Sequence, residues 1–107
     1  MFSKEIKIGN RLVGSNHPSY IIAEIGANFD GSIDKAKQLC YEAKKAGADC
    51  AKFQSFKSEK IVSEKGFSKM NLKGVHGTWE KSVSEVFKEV EFPREWHLEI
   101  KQYCDKI

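Results

Sequence analysis

Residues 20–54, YIIAEIGANFDGSIDKAKQLCYEAKKAGADCAKFQ, carry a β-rich apolar run, a polar break, an amphipathic helical repeat, a glycine and a second β-rich run. That order constrains the chain more than any other feature, because two strands joined by a crossover helix lie parallel and adjacent in one sheet. Tyr20 to Ile25 reads as the first strand, and Gly26-Ala27-Asn28-Phe29-Asp30-Gly31 as the polar loop that punctuates a buried strand. Ser32 is placed to cap the helix and Asp34 to complement its N-terminal dipole, while Ile33, Ala36, Leu39, Cys40, Ala43 and Ala46 form one apolar stripe. Gly47 stands where a helix-ending glycine belongs, and Cys50 to Gln54 resumes a strand.

Alternation along the strands sorts these residues onto two faces. Ile21, Ala23 and Ile25, with Ala51 and Phe53, make a wholly apolar face to lay against helices. Glu24, Lys52 and Gln54 point the other way, near the C-terminal ends of neighbouring strands, which is where open α/β sheets and (β/α)8 barrels keep their active sites. A single charge at a strand end is usually solvated or paired for structure. Two at facing positions, with a glutamine beside them and a Gly-Asn loop above, point to a common pocket.

The runs Ile22-Ala23-Glu24-Ile25-Gly26-Ala27-Asn28, Ala46-Gly47-Ala48-Asp49 and Lys52-Phe53-Gln54 resemble the start of the N-acetylneuraminate (sialic acid) synthase family. Ile8-Gly9-Asn10-Arg11, Lys81-Ser82-Val83, Glu85-Val86 and Pro93-Arg94-Glu95-Trp96 resemble the same N-terminal region, so the likeness runs from about Lys7 to Tyr103. It implies a transferase that condenses phosphoenolpyruvate with N-acetylmannosamine or a related N-acetylhexosamine-type sugar to give a nonulosonic acid and phosphate. By position, Glu24 matches an active-site glutamate, Lys52 the lysine that holds phosphoenolpyruvate, Gln54 a substrate-side glutamine, and Asn28 belongs to the substrate-binding loop. The resemblance also implies a divalent metal (Mn or Mg) whose ligands lie outside this chain, and a homodimer for the full-length enzyme. One departure stands out: the family's loop usually reads Asn-His-x-Gly, and here Phe29 takes the place of that His.

The class expected is therefore α/β, the N-terminal part of a (β/α)8 TIM barrel: a hairpin, the βαβ unit and two further helices. A complete barrel takes about 250 residues, and this chain has 107. Residues 1–107 would then be the N-terminal portion of a sialic acid synthase-type barrel, inactive alone, within a longer or split enzyme. The alternative is a non-catalytic α/β binding or assembly module whose open sheet edges are closed by a partner chain.

Other classes fall away on chemistry. A net charge of +3 with scattered lysines gives no basic stripe for nucleic acid. No apolar run approaches a membrane span and the first five residues do not open a signal peptide, so a cytoplasmic location is expected. Gly31-Ser32 lacks the Lys of a nucleotide phosphate loop, no G-x-G-x-x-G occurs, and no His stands near a nucleophile-like Ser or Cys. Cys40, Cys50 and Cys104 show no C-x-x-C spacing and read as small buried hydrophobes.

The flanks are expected to support the unit. Ile6, Ile8 and Leu12 around Gly9-Asn10 suggest a hairpin, and Ser15 to Pro18, including His17, a connecting loop. From Ser55 to Trp79 the chain shows no clear period and reads as a long loop, with Lys57, Lys60, Lys65, Lys69 and Lys73 available to attract an anion and His76 a weak ligand candidate. Ser82-Val83-Ser84-Glu85 is a capping box ahead of Val83, Val86, Phe87 and Val90. Pro93 is expected to open a last helix striped by Trp96, Ile100, Tyr103, Cys104 and Ile107, with His97 exposed.

Overall fold

The computed structural model describes residues 3–69 and 80–107. Strands β1 (Glu5–Ile8) and β2 (Arg11–Gly14) form the expected antiparallel hairpin, with Ile8 opposite Arg11. Gly9 takes φ +58°, a left-handed value that a two-residue hairpin turn needs and that glycine meets without steric cost.

The βαβ unit follows as β3 (Ile22–Gly26), α1 (Ile33–Lys45) and β4 (Cys50–Phe53), and β3 and β4 pair in parallel. Helix α1 starts and stops on side-chain chemistry. The Ser32 hydroxyl accepts the Lys35 N–H, Asp34 sits in the first turn, and Lys44 and Lys45 lie in the last. Beyond the C-cap Ala46, Gly47 at φ +93° donates to the Lys44 carbonyl and Ala48 to that of Ala43, a Schellman ending.

Between Ser55 and Lys69 the structure departs from the expected loop. Two short helices, α2 (Ser58–Ile61) and α3 (Glu64–Ser68), occupy it. Neither is long enough to show a repeating apolar stripe, so periodicity is blind to both. The cap of α3 was nonetheless written locally, since the Ser63 hydroxyl accepts the Gly66 N–H. Lys73 and His76 lie outside the described residues.

Helix α4 (Val83–Glu89) carries the expected capping box, with reciprocal bonds between Ser82 and Glu85. It packs on α2, where the N–H of buried Ser58 donates to the Glu91 carboxylate at 2.6 Å and its hydroxyl donates to the Ser84 carbonyl at 2.9 Å. The last helix, α5, spans Trp96–Lys106, so Pro93 is not its first residue. Pro93 instead begins a turn whose carbonyl accepts the Trp96 N–H at 3.0 Å. His97 is exposed, as expected, against the Phe92 ring.

The core lies between the β3–β4 sheet and helices α1 and α5, and consists of Ile25, Phe29, Ala36, Cys40, Phe92 and Ile100. Phe29 is its centre. Read in sequence as part of a polar loop, it is fully buried and meets the rings of Phe53, Phe92 and Trp96 edge-on at 6.0, 5.6 and 5.7 Å. The loop turns sharply through Asp30 at φ +50° and Gly31 at φ +69°, which carries Phe29 back under the sheet before Ser32 starts the helix. Cys40 is buried beside Cys104, and burial first, then that neighbouring thiol, pushes its pKa up to about 12. All three cysteines are free, with Cys50 and Cys104 half-buried rather than buried.

Asp49 ties the hairpin to this unit. Its carboxylate accepts the Ile21 N–H at 2.8 Å and pairs with Arg11, whose guanidinium also donates to the Ser19 carbonyl and lies over the Tyr20 ring. The hairpin is thereby anchored beside the N-terminal ends of β3 and β4, opposite the ends that carry Glu24 and Lys52. The described residues include no helix long and apolar enough to cross a membrane.

Phe29→Ala leaves a cavity among three rings and is expected to destabilise the chain by about 3–5 kcal/mol, read from urea unfolding. Phe29→His strands a polar ring in the core and is expected to cost about 1–3 kcal/mol. The Ile21 N–H, and then Arg11, hold the Asp49 carboxyl below its usual range. A depressed carboxyl contributes stability above its unfolded pKa and loses it as pH falls through the folded value. The wild-type unfolding midpoint should therefore fall below about pH 4, and Asp49→Asn, less stable at pH 7, should fall less steeply over that range.

Candidate active site at the C-terminal ends of the parallel strands

The register of the sheet sets Glu24 directly opposite Lys52. Strand alternation then turns both side chains to the face away from α1 and α5, and the Lys52 Nζ lies 2.8 Å from Glu24 Oε2. The hydrogen bond to Glu24, followed by the charge of that carboxylate, raises the Lys52 pKa above its ordinary value, with a smaller opposing effect of burial. At neutral pH this side chain is a fixed cation.

Among the described residues nothing encloses the pair. Lys52 is 59% and Glu24 51% exposed, and Ile22 on the same face is equally open. The physical reason is layering. Both helices that pack on the sheet take the face of Ile25, Ala51 and Phe53, and among the described residues nothing covers the other. Ile21, expected on the apolar face, is also exposed, because it precedes the strand and its N–H is used by Asp49.

Just beyond Glu24 the register shifts, so that Gly26 rather than Ile25 stands opposite Phe53. Such a bulge re-aims side chains at a strand end. Gly26 takes φ +62°, and its carbonyl accepts the Gln54 N–H at 3.0 Å. A methyl group placed on Gly26 would lie 3.6 Å from Glu24 Oε1, 3.7 Å from Asn28 Nδ2 and 3.9 Å from the Gln54 amide carbon. Three side chains therefore converge over one α-carbon. Asn28 is held there by donating to the Ile25 carbonyl at 2.8 Å.

All four residues singled out in the sequence, Glu24, Asn28, Lys52 and Gln54, meet at this place. Sequence reasoning missed Gly26 as the floor beneath them. Its only signal was a glycine ending an apolar run just before Ala-Asn, which reads equally well as simple punctuation. Of the loop lysines, Lys57 lies 3.9 Å from Glu91. Among the described residues no three His, Cys, Asp or Glu side chains converge in a way that could hold a metal ion.

Chemically, one ammonium, one carboxylate and two amides sit side by side on rigid backbone. The ammonium can hold a phosphate or carboxylate oxygen, the carboxylate can take or give a proton, and the amides can fix hydroxyl or carbonyl groups.

The NeuB family model matches residues 39–107. Over 101 residues the chain is 38% identical to the N-acetylneuraminate-9-phosphate synthase of Mus musculus, covering 91% of this chain and 26% of that protein. It is 33% identical over 96 residues to the pseudaminic acid synthase of Campylobacter jejuni, covering 89% of this chain and 27% of that one. The crystal structure of N-acetylneuraminic acid (sialic acid) synthetase from Leptospira borgpetersenii, in complex with citrate, superposes with a TM-score of 0.75 at 31% identity, over 97% of this chain and 31% of that chain. The chain thus spans about a quarter of the length of the curated relatives it matches. With its α/β architecture shared and the family model running over most of its residues, the chain belongs to the NeuB family.

Proposed function

We propose that this chain is an N-terminal portion of a (β/α)8 synthase that joins phosphoenolpyruvate to N-acetylmannosamine or a related sugar and consumes one water, releasing phosphate and a nonulosonic acid. Alone, the 107 residues lack activity on this reading. The observation that carries it is the ion pair of Lys52 and Glu24 at the C-terminal ends of adjacent parallel strands, with Asn28 and Gln54 gathered beside it over Gly26. The relatives' names support a sugar-acid product, and citrate in the Leptospira complex is itself a carboxylate anion.

In this reading Lys52 supplies the positive charge that holds the phosphate or carboxylate of phosphoenolpyruvate while a carbon–carbon bond forms to the sugar aldehyde. Glu24 manages the accompanying proton, being the one carboxylate borne on a strand of the pair. Asn28 and Gln54 orient the substrate through their amides. A divalent Mn or Mg ion belongs to the proposal through the family resemblance, and no step assigned to these residues runs through it.

A second reading is favoured by one observation. Along β4 and α5 runs a groove of about 550 Å³, lined by Ala51, Phe53, Phe92, Ile100 and Cys104 among others, which an assembly module would offer to a partner chain. A folded, soluble monomer on sedimentation of the 107 residues supports the module, and association or aggregation supports the synthase segment.

In the full-length synthase, Lys52→Ala is expected to lower kcat/KM for phosphoenolpyruvate by roughly 100-fold or more; wild-type turnover in that variant overturns the assignment. Glu24→Gln is expected to lower kcat by about 100-fold to 10,000-fold with an unchanged unfolding midpoint. Normal turnover with lost stability would make Glu24 a structural residue.

A further inference from the structure

Resting on the reading of Lys52 as the anion-holding residue, we infer that Glu24 is its resident counter-ion, which an incoming phosphate or carboxylate group must displace, so that Glu24 sets the affinity of the site by competition. The ammonium of Lys52 is one compact charge, and in this structure it is already engaged at 2.8 Å. No second cation shares the strand pair. β3 carries Glu24 as its sole ionisable residue, and β4 carries Lys52 and the Cys50 thiol. In the adjoining loops Asp30 pairs with Lys35, and Lys57 faces Glu91.

The pair is suited to opening. Both partners are more than half exposed, and ion pairs in that setting are weak because water screens them. Glu24 also has a second seat. Its Oε1 lies over Gly26, in the neighbourhood of the Asn28 and Gln54 amides. Asn28 uses an N–H on the Ile25 carbonyl and has another to offer a carboxylate that has let go of Lys52. The strands cannot part to relieve the competition, because paired strands are held about 4.8 Å apart. The released carboxylate therefore stays beside the bound anion and opposes it.

Removing the charge at Glu24 should accordingly tighten anion binding, whereas a Glu24 that itself grips ligand would loosen it. The size follows from Coulomb's law in water at contact range, about fivefold, and it should shrink as salt is raised. The test is a titration of the isotopically labelled full-length synthase with inorganic phosphate, following the backbone amides of Gly26, Lys52 and Phe53 in the wild type, Glu24→Gln, Glu24→Ala and Lys52→Ala. Two charge-removing variants guard against a local fault in either, and an unchanged amide spectrum elsewhere verifies folding.

The expected result is a dissociation constant about fivefold lower in both Glu24 variants and no saturable shift in Lys52→Ala. Equal or weaker binding in the Glu24 variants, with Lys52→Ala still silent, overturns the competition and leaves the Lys52 site standing. Binding that survives Lys52→Ala, or no saturable shift in any variant, overturns the site itself.

Discussion

Parallel pairing of β3 with β4 is the constraint on which everything else in the molecule depends. A helix that must return over one face of the sheet forces the two strands to run the same way, and that brings Glu24 level with Lys52. Had the strands been antiparallel, the two residues could not both stand at C-terminal ends. The packing that enforces the crossover is aromatic. Phe29, at the turn between β3 and α1, touches β4 through Phe53, the approach to α5 through Phe92 and α5 itself through Trp96, so one ring locks strand, helix and distal segment together.

The two ends of the sheet are handled differently. At the N-terminal ends, Asp49 draws together a backbone N–H, a guanidinium and through it a hairpin, with each acceptor matched to a donor. At the C-terminal ends, a bulge and a left-handed glycine leave polar side chains clustered but exposed. Satisfied polar networks stiffen, while solvent-facing ones stay available to a ligand. The contrast sets an end whose polar groups hold the fold together against an end whose polar groups are open to solvent.

Much of the fold was legible because its signals are local. Ser32, Asp34 and Gly47 bound α1 through hydrogen bonds spanning only a few residues, and Ser82 with Glu85 does the same for α4. Period-2 alternation placed Glu24 and Lys52 on one face correctly. The errors share a cause as well. Helices α2 and α3 are too short to be periodic, Pro93 serves a turn that only the docking of α5 selects, and Phe29 looked like loop because its neighbours in sequence are polar while its neighbours in space are rings.

By itself, then, the amino-acid order determined that the hairpin, the βαβ unit and helices α4 and α5 form, that the central strands are parallel, and that Glu24 and Lys52 share a polar face, since helix caps and strand periodicity act over a few residues. Tertiary structure decided that Phe29 is core, that Gly26 is the floor under Glu24, Asn28 and Gln54, and that the charged pair meets solvent. Burial and convergence are sums over segments distant in sequence, and only the folded packing of α1 and α5 on one face of the sheet sets them.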